Sequence, residues 1–500
     1  MKKVEKIIKI IKKILTDRVE TTEPGIFHKY VGAIDRENIL KSAKAFGTPQ
    51  YLLDQDELER KANFFIQTFR EALPTAEFFY AFKCNDFPAL ISTVKKAGFN
   101  ADVAGLFELE LALKLGFDKI MFSGPGKSEE ELQMAINNKD KVIINIDNVD
   151  ELLRLKKLVA RANGKDKGNG EKENGEKING EKNNGKVRIS FRLNSDNALT
   201  KEWAKFGIHL TDFRKAYEMI ANDEHFSWIG LHFHASGNQT PERYVKNIKL
   251  IGEYLKANFS EQELSKLEFL DIGGGFYPED QALLTKVSEK GSIHEAIEDY
   301  SNNHNQQYGF DPYEFFLLKT APLGVFAKKI AFYLKKYILS LNPNVILFTE
   351  PGRYIATHST TILLKVVAAK QDCVIVDGGI NMLGDYRFNE YAFPIIVNVS
   401  RPSHKFNRKI IYGSLCDPSD IWGYSYFGDS LRKGDVLAIL HQGAYTFSCS
   451  WRFIKPTPPY VVLSKEELSL GKKQEAFYDR YAGCKIENEV FDQEEESSED

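Results

Sequence analysis

The stretch Phe78-Phe79-Tyr80-Ala81-Phe82-Lys83-Cys84-Asn85-Asp86 carries a run of aromatic and small apolar residues straight into a lysine, with small polar residues behind it. The run is β-prone and reads as a buried strand. A lysine at the end of such a strand is costly to leave charged and unpaired, so it must find a counter-ion, reach solvent or become neutral. Forming an imine with an aldehyde is one route to neutrality. A lysine that merely emerges where a strand meets a loop is the plain alternative, and what lies further along the chain decides between them.

Working outward from Lys83, short apolar runs alternate with longer helical patterns from about residue 48 onward. Strands are expected near 78–83, 101–104, 119–123, 142–146, 187–193, 228–234, 267–272 and 345–349. Amphipathic helices are expected in the seven intervals, among them 88–97, 107–115, 128–137, 149–162, 241–257 and 322–341. Eight nearly continuous apolar strands alternating with helices are what a parallel (β/α)8, TIM-like barrel of the α/β class requires, because each strand is covered on both faces. In such a barrel the chemistry sits at the C-terminal ends of the strands. Those ends carry Lys83, Asp102, Ser123, Asn145 to Asp147, Arg192, His232, His234, Gly273 to Gly275, and Glu350 with Arg353. A purely structural rim has little reason to collect so many charged groups.

Beyond Glu350 the texture changes to β-prone runs at 362–369, 373–376, 395–399, 410–412, 436–440 and 460–463, separated by turns. These predict a second, all-β domain at 359–465 joined by residues 25–47, with Tyr30–Ile34 as a candidate strand. The barrel then occupies 48–358, with an extension at 1–24 and another at 466–500 that ends in the acidic run FDQEEESSED. Residues 163–186 repeat Asn, Gly, Glu and Lys and cannot bury enough surface to offset their chain entropy, so a disordered insertion is expected there. A connection at 278–321 with some helical pattern is a candidate lid or interface element.

Composition bounds the function. The 67 basic residues nearly balance the 70 acidic ones, so nothing points to nucleic acid. Five cysteines (Cys84, Cys373, Cys416, Cys449, Cys484) without close pairs argue against a disulfide framework or a structural zinc site, and the expected home is the cytoplasm, with no metal. The basic N-terminus has isoleucines at 7, 8, 10, 11 and 14 but is interrupted by lysines too often for a signal or membrane span. A helix packed on the protein is expected there, with a helix lying on a membrane surface as the alternative.

Two further motifs carry chemistry. Leu270-Asp271-Ile272-Gly273-Gly274-Gly275-Phe276 is a strand entering three glycines, and backbone without side chains lets amide N–H groups approach a phosphate. Glu350-Pro351-Gly352-Arg353 places an acid and a base three residues apart at the end of the eighth strand. Either segment alone is as readily a tight turn.

Together the segments resemble the fold-type III pyridoxal-phosphate decarboxylases, the group that contains diaminopimelate and ornithine decarboxylases. The matching pieces are YAFKCND (80–86), ADVAGLFEL (101–109), SGPGKS (123–128), FRLN (191–194), KFGI (205–208), GLHFH (230–234), LDIGGGF (270–276), EPGRY (350–354), VDGGIN (376–381), CDPSD (416–420) and GAYTFS (443–448), in that order. The resemblance implies decarboxylation of an amino acid, most simply a diamino acid of the meso-diaminopimelate or ornithine type, with pyridoxal 5′-phosphate (PLP) held by Lys83 as a Schiff base. His234 would stack on the cofactor ring and Glu350 would bond its pyridine nitrogen. Gly273, Gly274, Gly275, Gly352, Arg353 and Tyr445 would hold the phosphate, Asp102 and Glu108 would line the cofactor side, and Arg192 would support the network around Glu350. Cys416 would protonate the product carbon and Asp417 would recognise a distal amino group, both in the site of a partner subunit of a homodimer. Lys205 and Asp420 would pair at that interface.

The sequence departs from the family where His-x-Gly-Ser becomes His234-Ala235-Ser236-Gly237, so that either Ser236 or the backbone around Gly237 must serve the phosphate. Relatives of the diaminopimelate type generally carry glutamate where this chain has Asp417. Candidates for the substrate carboxylate are Arg387 with Tyr386 or Tyr391, joined by Tyr445. The alternatives to decarboxylation are a fold-type III racemase and a decarboxylase-like regulator without catalysis.

Overall fold

Each of the eight apolar runs forms a strand in the computed structural model, which describes residues 19–22, 28–162, 185–194, 205–279, 282–285, 315–318, 320–383, 392–486 and 489–490. The strands are β1 (Glu77–Ala81), β2 (Asn100–Val103), β3 (Ile120–Phe122), β4 (Val142–Ile146), β5 (Val187–Asn194), β6 (Phe226–His232), β7 (Phe269–Asp271) and β8 (Ile346–Thr349). All neighbouring pairs are parallel, and β8 returns to β1 through Phe348 opposite Glu77, which closes the barrel. A two-residue strand, Ile208–His209, is added outside the ring against β5. Helices fill all seven intervals, including Pro88–Lys96, Leu106–Lys114, Glu129–Asn137, Val149–Ala162, Leu210–Glu218, Glu242–Asn258 and Leu323–Leu334.

The barrel interior is filled rather than hollow. Phe79, Met121, Ile143, Ile229, Phe269 and Phe348 form one buried cluster. Phe269 and Phe348 stack with centroids 4.2 Å apart, and Phe79 lies 4.8 Å from Phe348. Each such ring contributes about 1.5–3 kcal/mol by leaving water. Gly230 makes the layer possible, since a side chain there would collide with the Phe269 ring.

The described residues within Lys61–Tyr277 and Thr320–Tyr354 make up the barrel unit, and those within Met1–Arg60, Pro278–Lys319 and Ile355–Asp500 make up a second unit. In the second unit six strands close into a ring in the order Cys373–Val376, Phe406–Tyr412, Ile421–Phe427, Ile396–Asn398, Val436–Ile439 and Thr360–Ala369, whose far end pairs back with Cys373–Val376. Gln50–Asp54, Tyr460–Ser464 and Glu467–Lys472 extend the sheet from Thr360–Ala369. Its core includes Leu52, Leu363, Val397, Phe427, Ala438 and Val461.

Four expectations change. Tyr30–Ile34 is not a strand: His28–Gly32 is helical, and the sheet position is taken by Gln50–Asp54, which pairs along both edges with Thr360–Leu363 and Tyr460–Leu463. Residues 50–54 therefore belong to the β sheet rather than to the barrel. Strand β1 stops at Ala81, and Lys83 lies on the 3₁₀ turn Phe82–Cys84. In the connection 278–321 the described pieces are antiparallel strands, Ala282–Thr285 and Phe315–Leu318, joined by Val19–Thr22 and Ala392–Phe393 in a four-stranded sheet. The expected N-terminal helix, insertion 163–184, the acidic tail from 491, and Tyr386, Arg387 and Tyr391 lie outside the described residues. Among the described residues no helix is long and apolar enough to cross a membrane.

Candidate active site

Strand register brings the charged groups to one end of the barrel. Ala81 of β1 pairs with Asp102 of β2, so Lys83, just past Ala81, reaches back over its neighbour. Its Nζ lies 2.6 Å from Asp102 Oδ2, with the lysine side chain 38% exposed and the aspartate fully buried. Burial, and then the charge of Glu350, push the Asp102 carboxyl above its usual range, and Lys83 offsets this only in part. Glu108 enters from the first turn of helix Leu106–Lys114, where it accepts from the Ala104 N–H at 2.6 Å. Burial raises its pKa to about 7 despite that bond and the nearby Lys83.

Opposite the lysine, Arg192 on β5, His232 on β6 and Asp271 on β7 occupy one register row. Arg192 is nearly buried, lies 3.6 Å from Asp147 and covers the Phe206 ring at 4.4 Å. Burial lowers its pKa, while Asp147 and then Glu350 pull the other way. At the end of β8, Glu350 is 2% exposed, with Oε1 3.4 Å from His232 Nε2 and Oε2 3.9 Å from His234 Nδ1. Burial alone would raise the Glu350 carboxyl, but His232 and Lys83 hold it well below its ordinary range.

His234 Nδ1 also accepts from the Gly274 N–H at 3.2 Å, which places its proton on Nε2 and leaves the ring neutral. Burial accordingly lowers its pKa to about 4, against the pull of Glu350. The sign follows: an unfolded histidine takes up a proton below about 6.5, the folded ring does not until about 4, so stability is lost as pH falls through that window. His234→Gln is expected to reduce the acid-side loss of urea stability in the cofactor-free protein by roughly 1–3 kcal/mol. Identical slopes for the two proteins would show that the ring is not held neutral.

The three glycines are needed by packing. Gly273 and Gly275 have φ of 68° and 90°, which disfavour a side chain. A Cβ on Gly274 would collide with the Glu350 carbonyl, and one on Gly275 with the Ala235 carbonyl. The N–H of Gly273 donates to Asp271 at 2.8 Å and that of Gly274 to His234, so these two amides serve the protein itself as well as shaping the turn. Gly352 lets the chain after Glu350 lie against Cys84, beside the lysine turn. Arg353 covers the Tyr277 ring at 4.9 Å. Ser236 is half-buried with its carbonyl held by Arg243, and Gly237 is exposed with φ of 69°.

The remaining expected groups belong to the β unit. Cys416 is exposed. Asp417 is exposed and accepts from the Ser419 N–H and hydroxyl, both at 2.8 Å, which lower its pKa. Tyr445 is half-buried with a left-handed φ of 57°. Asp420 cannot pair with Lys205 as expected: it is 1% exposed, and its two carboxylate oxygens accept from the N–H groups of Ile380 and Leu415 at 2.8 and 2.7 Å.

Sequence reasoning left His232 and Asp271 without roles, although both close barrel strands. Their signal was parity, since residues two apart on a strand share a face. His232, His234 and Glu350 present donors within 4.8 Å of one another, a spacing a metal ion would also accept. The neighbouring lysine and glycine turn assign this cluster to an organic cofactor.

The family model for the pyridoxal-dependent decarboxylase, pyridoxal binding domain, matches residues 57–309. Diaminopimelate decarboxylase of Methanothermobacter thermautotrophicus is 25% identical over 94% of this chain and 97% of its own length. L-glutamyl-[BtrI acyl-carrier protein] decarboxylase of Niallia circulans is 24% identical over 86% of this chain and 92% of its own. The solved diaminopimelate decarboxylase of M. jannaschii in complex with L-lysine shares the fold, with a TM-score of 0.68 and 22% identity over 89% of this chain and 94% of that one. With a closed barrel, a lysine beside its mouth and a model match across half the sequence, the chain belongs to the pyridoxal-dependent decarboxylases.

Proposed function

We propose that this PLP-dependent amino-acid decarboxylase acts on a free diamino acid, meso-diaminopimelate or ornithine. The observation that carries the proposal is Asp417, an exposed carboxylate that Ser419 keeps anionic beside Cys416, as a site for a substrate's distal ammonium needs. The naming of several relatives as diaminopimelate decarboxylases supports the first substrate, and the shorter acid at Asp417 supports the second.

The barrel residues fit the cofactor. Glu350 is buried and is held anionic by His232 and Lys83, which suits a partner for a protonated ring nitrogen. Lys83 is the amine that would hold PLP, with the glycine turn and Arg353 toward its phosphate. When bound, PLP supplies an electron sink for the bond to the departing carboxylate. Asp102 positions the Lys83 amine, and His234, kept neutral, presents an uncharged ring face. Glu350 keeps a proton at the pyridine nitrogen. Cys416 donates its thiol proton to the substrate's α carbon, and Arg387 with Tyr391 or Tyr445 orients the carboxylate.

Carbon dioxide release should be measured with meso-diaminopimelate, ornithine, lysine, arginine and carboxynorspermidine. Turnover on one of the first two is expected. Racemisation without carbon dioxide would favour the racemase reading, and turnover only on a carrier-bound acid would remove the free-diamino-acid reading.

The enzyme is further proposed to be a cytoplasmic homodimer whose exposed Cys416 and Asp417 complete the partner's site. Mixing Lys83→Ala with Cys416→Ala subunits is then expected to restore roughly a quarter of wild-type turnover, because half the dimers are mixed and each has one intact site. Activity no higher than that of the two parents would show that each site is built from one chain.

A further inference from the structure

We infer that Asp271 is a positioning residue for Glu350, acting through the Gly273 backbone and through a hydrogen bond between the two carboxyl groups. The inference rests on the reading of Glu350 as the cofactor's partner. Asp271 is fully buried at the end of β7, in register with His232 on β6 and Phe348 on β8. Because alternate residues share a face, Glu350 rises on the same face one step beyond Phe348.

The first connection runs through backbone. Asp271 Oδ1 accepts from the Gly273 N–H at 2.8 Å, and the Gly273 carbonyl accepts from the Glu350 N–H at 2.9 Å. Asp271 therefore helps to fix Gly273, the residue whose carbonyl receives the Glu350 N–H. The second connection concerns the other two oxygens. Asp271 Oδ2 and Glu350 Oε1 are both buried, and with both groups ionised neither has a donor. A single proton on Asp271, donated toward Glu350, satisfies both atoms. Two adjacent buried carboxyl groups do not both ionise readily. Glu350 is the one held anionic by His232 and Lys83. Burial, and then the charge of Glu350, drive Asp271 far above the usual carboxyl range, with Asp102 adding to the effect.

Asp271→Asn keeps one acceptor for Gly273 and one donor for Glu350, whereas Asp271→Ala keeps neither. Two measurements decide the matter: PLP titration of each variant, and the infrared difference between the cofactor-free wild type and Asp271→Asn. Asp271→Asn is expected to bind PLP within about threefold of wild type and Asp271→Ala about tenfold or more weakly, as for a buried carboxylate that loses its donor. The infrared difference is expected to show loss of a protonated-carboxyl carbonyl band. Equal damage from Asn and Ala would mean that an anion is required and would overturn the inference. So would undiminished PLP affinity in Asp271→Ala, or the absence of the difference band. If Asp271→Ala does not fold, Asp271→Asn and the infrared band still decide. Failure of the wild type to bind PLP would count against the cofactor reading instead, and the infrared result on cofactor-free protein would still test the carboxyl pair.

Discussion

Lys83→Ala is expected to lose both the visible absorbance that PLP gives when joined to the protein and turnover, the latter by on the order of a thousandfold or more, as for removal of a covalent catalytic group. Lys127, also near the strand ends, offers no second amine in its place, being fully buried and committed to Glu151, Gly124 and Asn145 at 2.8 to 2.9 Å. The loss of charge must be separated from the loss of the amine, because Asp102 is buried beside Lys83. An abandoned buried carboxylate is costly, but Asp102 is already pushed up by burial and by Glu350 and can take a proton instead. The variant should therefore fold. Lys83→Arg provides the control, since it keeps a cation for Asp102 but cannot form the covalent link. It is expected to retain thermal stability while losing absorbance and turnover as completely as alanine does. Full turnover in Lys83→Ala would end the assignment.

The barrel was legible because fully covered parallel strands must be apolar along their whole length, and helices between them leave a clear change of period. The β unit was less so. Ile421–Phe427 is interrupted by Gly423 and Ser425, and Glu467–Lys472 is mostly exposed, so neither stands out as an apolar run. Gln50–Asp54 is short, and its burial comes from pairing with strands far along the chain. At the candidate site, residues with a motif were easy to find, and those acting through register were not. Asp271 lies inside LDIGGGF, yet its importance appears only when β7 stands beside β8 and its carboxyl meets the glycine turn. Asp420 shows the opposite failure: beside Cys416 it looked like an interface acid, whereas folding buries it against the N–H groups of Ile380 and Leu415.

Glu350→Gln is expected to lower kcat by on the order of a hundred- to a thousandfold at saturating PLP, the loss typical of removing one preorganised charge from a buried site. The substitution preserves size and the backbone bond from the Glu350 N–H to the Gly273 carbonyl, so the site should keep its shape. It removes the anion, which is the property the proposed mechanism requires. A glutamate held well below its ordinary pKa can keep a proton on a pyridine nitrogen, whereas an amide cannot. Lys83 remains available to hold PLP, so the visible band should persist while turnover falls, in contrast to Lys83→Ala. The pair of variants thus divides attachment of the cofactor from tuning of its ring. A change in KM alone would point to substrate binding rather than to transition-state stabilisation. Turnover within about twofold of wild type, which mutant kinetics would count as no lost stabilisation, would place the ring nitrogen's partner elsewhere in the barrel.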